Sequence, residues 1–247
     1  MPTASNCLDC TTPLAGRWCH TCGQDSRDPL RAISVLFEEF IESTLAWDSR
    51  LTRTLRTLLT RPGALTDAFV AGQRARYLGP VRLYILASVV YAAMFVGLGG
   101  ELTLLFLVGG GDVMAGQREV AQVERWLSLL LLLLMPIAAV LMALAFRRRG
   151  IGFVEHLVFT LHFNSFVLLA WAVGGVFGWA ADRAASPIAE IAVAVMVNVV
   201  VAIYGYRAAC RHYRRSVIDG FLRFCSYGVA SVAMLRGVAY LGELAVR

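Results

Sequence analysis

The rhythm of apolar and polar positions changes along the chain. Over residues 30–46, Leu30, Ile33, Phe37, Phe40, Ile41 and Leu45 recur near helical spacing, with Glu38, Glu39 and Glu42 on the other side. That period predicts an amphipathic helix. A second one follows, in which Leu51, Leu55, Leu58 and Leu59 interleave with Arg50, Arg53, Arg56 and Arg61 until Pro62-Gly63 stops it. After residue 81 the alternation gives way to long apolar runs. A helix needs ~20 apolar residues to cross the hydrocarbon core of a bilayer. Five segments meet that need, at about 82–100, 126–146, 156–180, 187–206 and 221–242. Pro136 predicts a kink in the second, and Ser186-Pro187 opens the fourth. The run 102–108 is too short to span alone and either extends the first span or lies at the interface.

These patterns predict an all-α polytopic membrane protein of about five transmembrane helices. It has a small head at residues 1–28, amphipathic juxtamembrane helices at 29–80 and a membrane body at 81–247. Composition agrees, because 58% of the chain is hydrophobic, against about 45–50% in soluble domains. Residues 1–28 contain no apolar signal segment, so the head is expected to stay on the side where it is made.

The head carries four of the six cysteines, as Cys7-x2-Cys10 and Cys19-x2-Cys22-Gly23. Two such knuckles joined by a short loop match a structural four-thiolate Zn2+ site with no open coordination position. Gly23 suits a turn of positive φ. Too small to build a core, the head would draw much of its folding energy from the metal. Two disulfides would need an oxidising compartment. A redox C-x-x-C pair would need a βαβ setting, which the pattern lacks. Cys210 and Cys225 sit beside or within apolar segments and read as packing residues.

All 23 basic residues are arginine, and the net charge is +6. Most of them flank apolar runs. That distribution points to topology and to anionic lipid headgroups as partners, alongside a cytoplasmic protein partner for the head, and disfavours nucleic acid. Ten arginines precede residue 83, two lie in 101–125, three open 147–155, one lies in 181–186 and four lie in 207–220. Rich and poor segments alternate through five spans. The positive-inside rule therefore predicts a bacterial inner-membrane protein with a cytoplasmic N-terminus and a periplasmic C-terminus. The same orientation keeps the four thiols reduced. Arg74, Arg76 and Arg82 around Tyr77 read as an interfacial anchor, while the two amphipathic helices could rest on lipid or on the protein's own face.

The C-x-x-C…C-x-x-C-G-Gln head resembles an uncharacterised bacterial family of zinc-ribbon membrane proteins, a domain of unknown function. The resemblance continues through Arg53-Thr54-Leu55, Arg61-Pro62-Gly63, Gly72-Gln73-Arg74-Ala75-Arg76-Tyr77-Leu78-Gly79-Pro80 and Glu155-His156-Leu157-Val158-Phe159. It implies the zinc-ribbon membrane architecture and no activity. Five spans with the N-terminus inside are also similar in topology to the Yip1 class.

Polar groups inside spans are the default place to look for function. Glu155, His156, His162 and Asn164 form one such group, in which Glu155 and His162 share a helix face and His156 points elsewhere. The favoured reading is a helix start near the cytoplasmic interface, each side chain paired with a neighbouring helix or with water. Glu190 and Arg236 are a candidate buried ion pair between the fourth and fifth spans. Three functions fit: a non-enzymatic scaffold or adaptor, a small transporter or channel using Glu155 and His162, and an intramembrane enzyme. No catalytic motif accompanies these residues, so the scaffold is favoured.

Overall fold

The structure, a computed structural model, describes residues 6–24, 49–98, 134–147, 150–184 and 186–246. The expected helix at 30–46 and the run 102–108 lie outside the described residues. Among the described residues there are seven helices and no strand. They are α1 (Ser49–Thr60), α2 (Ala64–Val70), α3 (Pro80–Gly97), α4 (Leu134–Ala145), α5 (Phe153–Arg183), α6 (Pro187–Tyr213) and α7 (Val217–Val246).

Helix α5 is the centre of the bundle. Helix α3 packs along one side of it and α6 along the other, while α7 touches α6. The pairings are antiparallel where the sequence predicts adjacent passes. Between α5 and α6, His156 meets Tyr213, Phe166 meets Tyr204 and Gly174 meets Val197. Between α6 and α7, Gly205 meets Phe224 and Cys210 meets Gly220. Burial falls outward from this axis. The most apolar window of α5 is 67% buried, whereas those of α6 and α7 are 17% and 11% buried. Their outward side chains include Ile188, Ile191, Val195, Val199, Phe221, Leu222 and Val229. A band of this size and apolarity is unsuited to water, and the chain is a membrane-embedded protein.

Among the described residues, three helices are long and apolar enough to cross a bilayer: α5, α6 and α7. In α3 and α4 the apolar stretches Pro80–Met94 and Leu134–Ala145 are shorter. The observed helices also outrun the expected spans, because α5 begins at Phe153, α6 runs on to Tyr213 and α7 begins at Val217. Apolar content marks only the part of a helix that meets hydrocarbon. The added turns carry polar residues that find partners on neighbouring elements.

Helix α1 packs one side on the protein: Thr54 and Leu58 are buried and Leu55 packs against the main core, while Leu59, Arg53, Arg56 and Arg61 stay exposed. Leu58 also gives its carbonyl oxygen to the Tyr204 hydroxyl at 2.6 Å. The turn into α2 fits tightly. Gly63 sits at φ 78°, and a Cβ there would crowd the Ala208 backbone on α6, so only glycine meets both demands.

Candidate metal centre and buried polar junction

The two cysteine knuckles adopt the same local conformation. In the first, the Cys7 amide donates to the Thr12 carbonyl and the Thr11 amide to the Cys7 carbonyl. In the second, the Cys19 amide donates to the Gln24 carbonyl and the Gly23 amide to the Cys19 carbonyl. The residue after each second cysteine is left-handed, with Thr11 at φ 63° and Gly23 at φ 73°. Gly23 bears out the expectation of a positive φ. Thr11 is the costlier solution, since a β-branched residue rarely adopts this conformation.

This matching geometry turns four sulfurs toward one point. Cys7 Sγ lies 3.5 Å from Cys22 Sγ, and Cys10 Sγ 3.5 Å from Cys19 Sγ. All four ligand atoms fall within 4.8 Å of one another, and none is bridged. A tetrahedron with Zn–S bonds of about 2.3 Å would hold its sulfurs roughly 3.8 Å apart. The donor set therefore fits a soft divalent cation. The thiols are unequal: the Thr12 hydroxyl draws Cys10 down to about 6, while burial pushes Cys22 up to about 12. A bound cation would supply the positive charge that lets Cys22 ionise as well.

The head is fastened to the membrane body by one side chain from each knuckle. Asp9, between the first two cysteines, is buried and forms an ion pair with Arg76 (Oδ1 to Nε, 3.1 Å), and its carbonyl accepts from Arg76 Nη2 at 2.5 Å. Gln24, just after the second pair, donates to the Gly72 carbonyl at 2.5 Å and accepts from the Arg74 and Ala75 amides at 3.2 and 3.3 Å. Leu8 packs on Gly72. Thr54 on α1 holds the end of the same loop, its Oγ1 accepting from the Leu78 amide at 3.0 Å. The motifs that stand out in the sequence are thus the two sides of one contact. From the sequence, Arg74, Arg76 and Arg82 around Tyr77 read as an interfacial anchor. In the structure Arg76 grips the head.

A second polar group lies where α2 meets α5 and α6. The Thr66 hydroxyl and His162 Nδ1 are 3.0 Å apart in a buried hydrogen bond, and Phe69 sets its edge against the same imidazole. Next along α2, Asp67 accepts from His212 Nδ1 at 2.8 Å and from Arg211 Nε at 3.0 Å. Partial burial would raise the Asp67 carboxyl, but the hydrogen bonds from His212 and Arg211 outweigh it and hold the group below its ordinary value. His156 pairs with the Tyr213 hydroxyl at 2.8 Å, and the two rings stack. Phe159 lies face to face with the His212 ring and also meets Tyr213.

The structure does not gather the four polar residues expected in the third span into one site. His162 faces α2, and His156 faces the end of α6. Glu155 caps its own helix, accepting from the Gly152 amide at 3.4 Å. Asn164 donates to the Thr160 carbonyl one turn back. Glu190 lies in the first turn of α6, but the side chain of Arg236 is outside the described residues, and so is that pairing. Sequence reasoning missed Asp67, His212, Tyr213, Thr66, Asp9 and Gln24. For Asp67 a signal existed, as the one charged residue in the Ala64–Val70 helix.

Residues 48–92 match a protein family described as "protein of unknown function (DUF3667)". The match covers α1, α2, the loop that receives the head, and most of α3. Together with the four-cysteine head it bears out the resemblance to an uncharacterised family with a zinc-ribbon-like head. No match was found among curated proteins or among solved structures.

Proposed function

We propose that this chain is a multi-pass protein of the bacterial inner membrane that serves as a scaffold or adaptor. Its head holds one structural Zn2+ through Cys7, Cys10, Cys19 and Cys22 on the cytoplasmic side, and five passes carry its C-terminus to the periplasm. One observation carries this reading: the arginine-rich segments meet at one end of the bundle, with the head docked there. Arg211 reaches Asp67, Arg215 donates to the Arg147 carbonyl at 2.8 Å, and Arg223 donates to the Ala145 carbonyl at 2.7 Å. Such an end suits the cytosolic leaflet, where anionic headgroups balance the exposed Arg53, Arg56 and Arg61.

A scaffold role draws support from how the polar groups are used. A closed thiol tetrad has no position for substrate. Of Glu155 and His162, the groups a transport path would use, Glu155 caps its own helix and His162 is buried and engaged with Thr66. The reading makes two measurable demands. Purified full-length protein should carry about one zinc per chain by elemental analysis, and Cys7→Ser with Cys22→Ser should carry none. Proteins cross-linked to the full-length chain in native membranes should be lost in that double variant. An unchanged cross-linked set, with the metal gone, would rule out the head as an adaptor.

A further inference from the structure

We propose that metal occupancy of the head controls its attachment to the membrane body, so that the head is a metal-dependent latch on the loop at residues 72–78. The inference rests on the metal reading above and adds a coupling to it. Its basis is where the latch residues sit. Asp9 lies inside the first C-x-x-C, and Gln24 lies two residues past the second. Both positions belong to the turns that bring the four sulfurs together: the Gln24 carbonyl itself accepts from the Cys19 amide at 2.9 Å, and the Cys7 carbonyl accepts from the Thr11 amide at 2.9 Å across Asp9. The conformation that collects the sulfurs is therefore the one that aims the two latch side chains.

A head of this size has little else to hold that conformation. Among its described residues the buried side chains are Cys7, Asp9, Cys19 and Gln24, that is, two thiols and the two latch groups. Without a cation to draw four thiols together, the turns lose their main constraint, and Asp9 and Gln24 are no longer presented as a pair. On the body side the release uncovers the Arg74 and Ala75 amides, the Gly72 carbonyl and the Arg76 guanidinium. The freed loop leads straight into α3 at Pro80, so the state of the metal is reported at the entrance to the membrane segment.

The test is hydrogen–deuterium exchange on the full-length protein in lipid nanodiscs, with its zinc content measured in parallel. Treating the loaded wild type with a high-affinity zinc chelator should speed exchange at the Arg74 and Ala75 amides by about ten-fold or more, along with the head amides, and zinc added back should restore protection. In Gln24→Ala with Arg76→Gln, zinc should stay bound and the head amides stay protected, while the amides at 74 and 75 exchange fast from the start. If chelation opens the head but leaves 74 and 75 protected, the coupling is wrong although the metal reading stands. If the chain takes up no zinc, the metal reading fails and the latch falls with it.

Discussion

The two ends of the helical bundle are built on different principles. At the arginine-rich end four buried or half-buried polar contacts join different elements: Thr66 with His162, Asp67 with His212, His156 with Tyr213, Tyr204 with the Leu58 carbonyl. Toward the other end, α5 turns Val173 and Phe177 outward, and α6 turns out Ile188, Ile191 and Val195. There the helices meet through close approach, as where Gly174 lies against Val197. The difference teaches where this fold gets its uniqueness. Lipid tails are as apolar as leucine, so apolar faces alone do not tell one helix which neighbour to choose. Hydrogen bonds between dissimilar partners do, and they are concentrated where α1 and α2 wedge against α5 and α6.

The sharpest way to break this contrast is to remove bulk from the polar end. Phe159, buried between His212, Tyr213 and Phe163, should cost about 3–5 kcal/mol when replaced by alanine, read as a fall in the unfolding midpoint in detergent micelles. Next comes the buried pair. Thr66→Val or His162→Leu should each cost about 1–3 kcal/mol by stranding the partner. The double variant should cost less than the sum, and strict additivity would mean that the hydrogen bond contributes nothing.

A smaller effect should follow from acid. The Asp67 carboxyl is held below its ordinary value in the folded chain. Its contribution is therefore present above the unfolded value of 3.8 and is lost as pH falls through the lower folded value. Asp67→Asn should flatten the stability profile in that acid range. A profile identical to wild type would show that the contact with His212 and Arg211 is without weight. Smallest of all, Phe177→Ala at the far end should shift stability by about 0.5 kcal/mol or less. A loss matching that of Phe159 would mean that the far end is as specifically packed as the near one.

Much of the architecture is legible residue by residue. The C-x-x-C spacing announces a four-thiol cluster, and the leucine and arginine alternation from Leu51 to Arg61 announces α1. The apolar runs beyond residue 152 announce α5, α6 and α7, because local periodicity and hydropathy are properties of neighbours in the chain. Spacing along the chain does not reveal partners that are distant in it. Glu155 and His162 share a helix face by spacing, yet each is claimed by a different element, the first by its own helix start and the second by Thr66. His212 lies in an arginine-rich stretch that reads as surface until Asp67 and Phe159 close over it.

The amino-acid order by itself determined that this protein has a thiol-rich head, an amphipathic helix α1 and a membrane-embedded helical body. Each of these follows from composition and spacing over a few turns. Only the tertiary structure decided that the head docks on the loop before α3, that α1 lies on protein, and that the histidines serve separate pairings. Those outcomes depend on contacts between residues as far apart as Asp9 and Arg76, or Asp67 and His212, and no local pattern encodes which distant partner arrives.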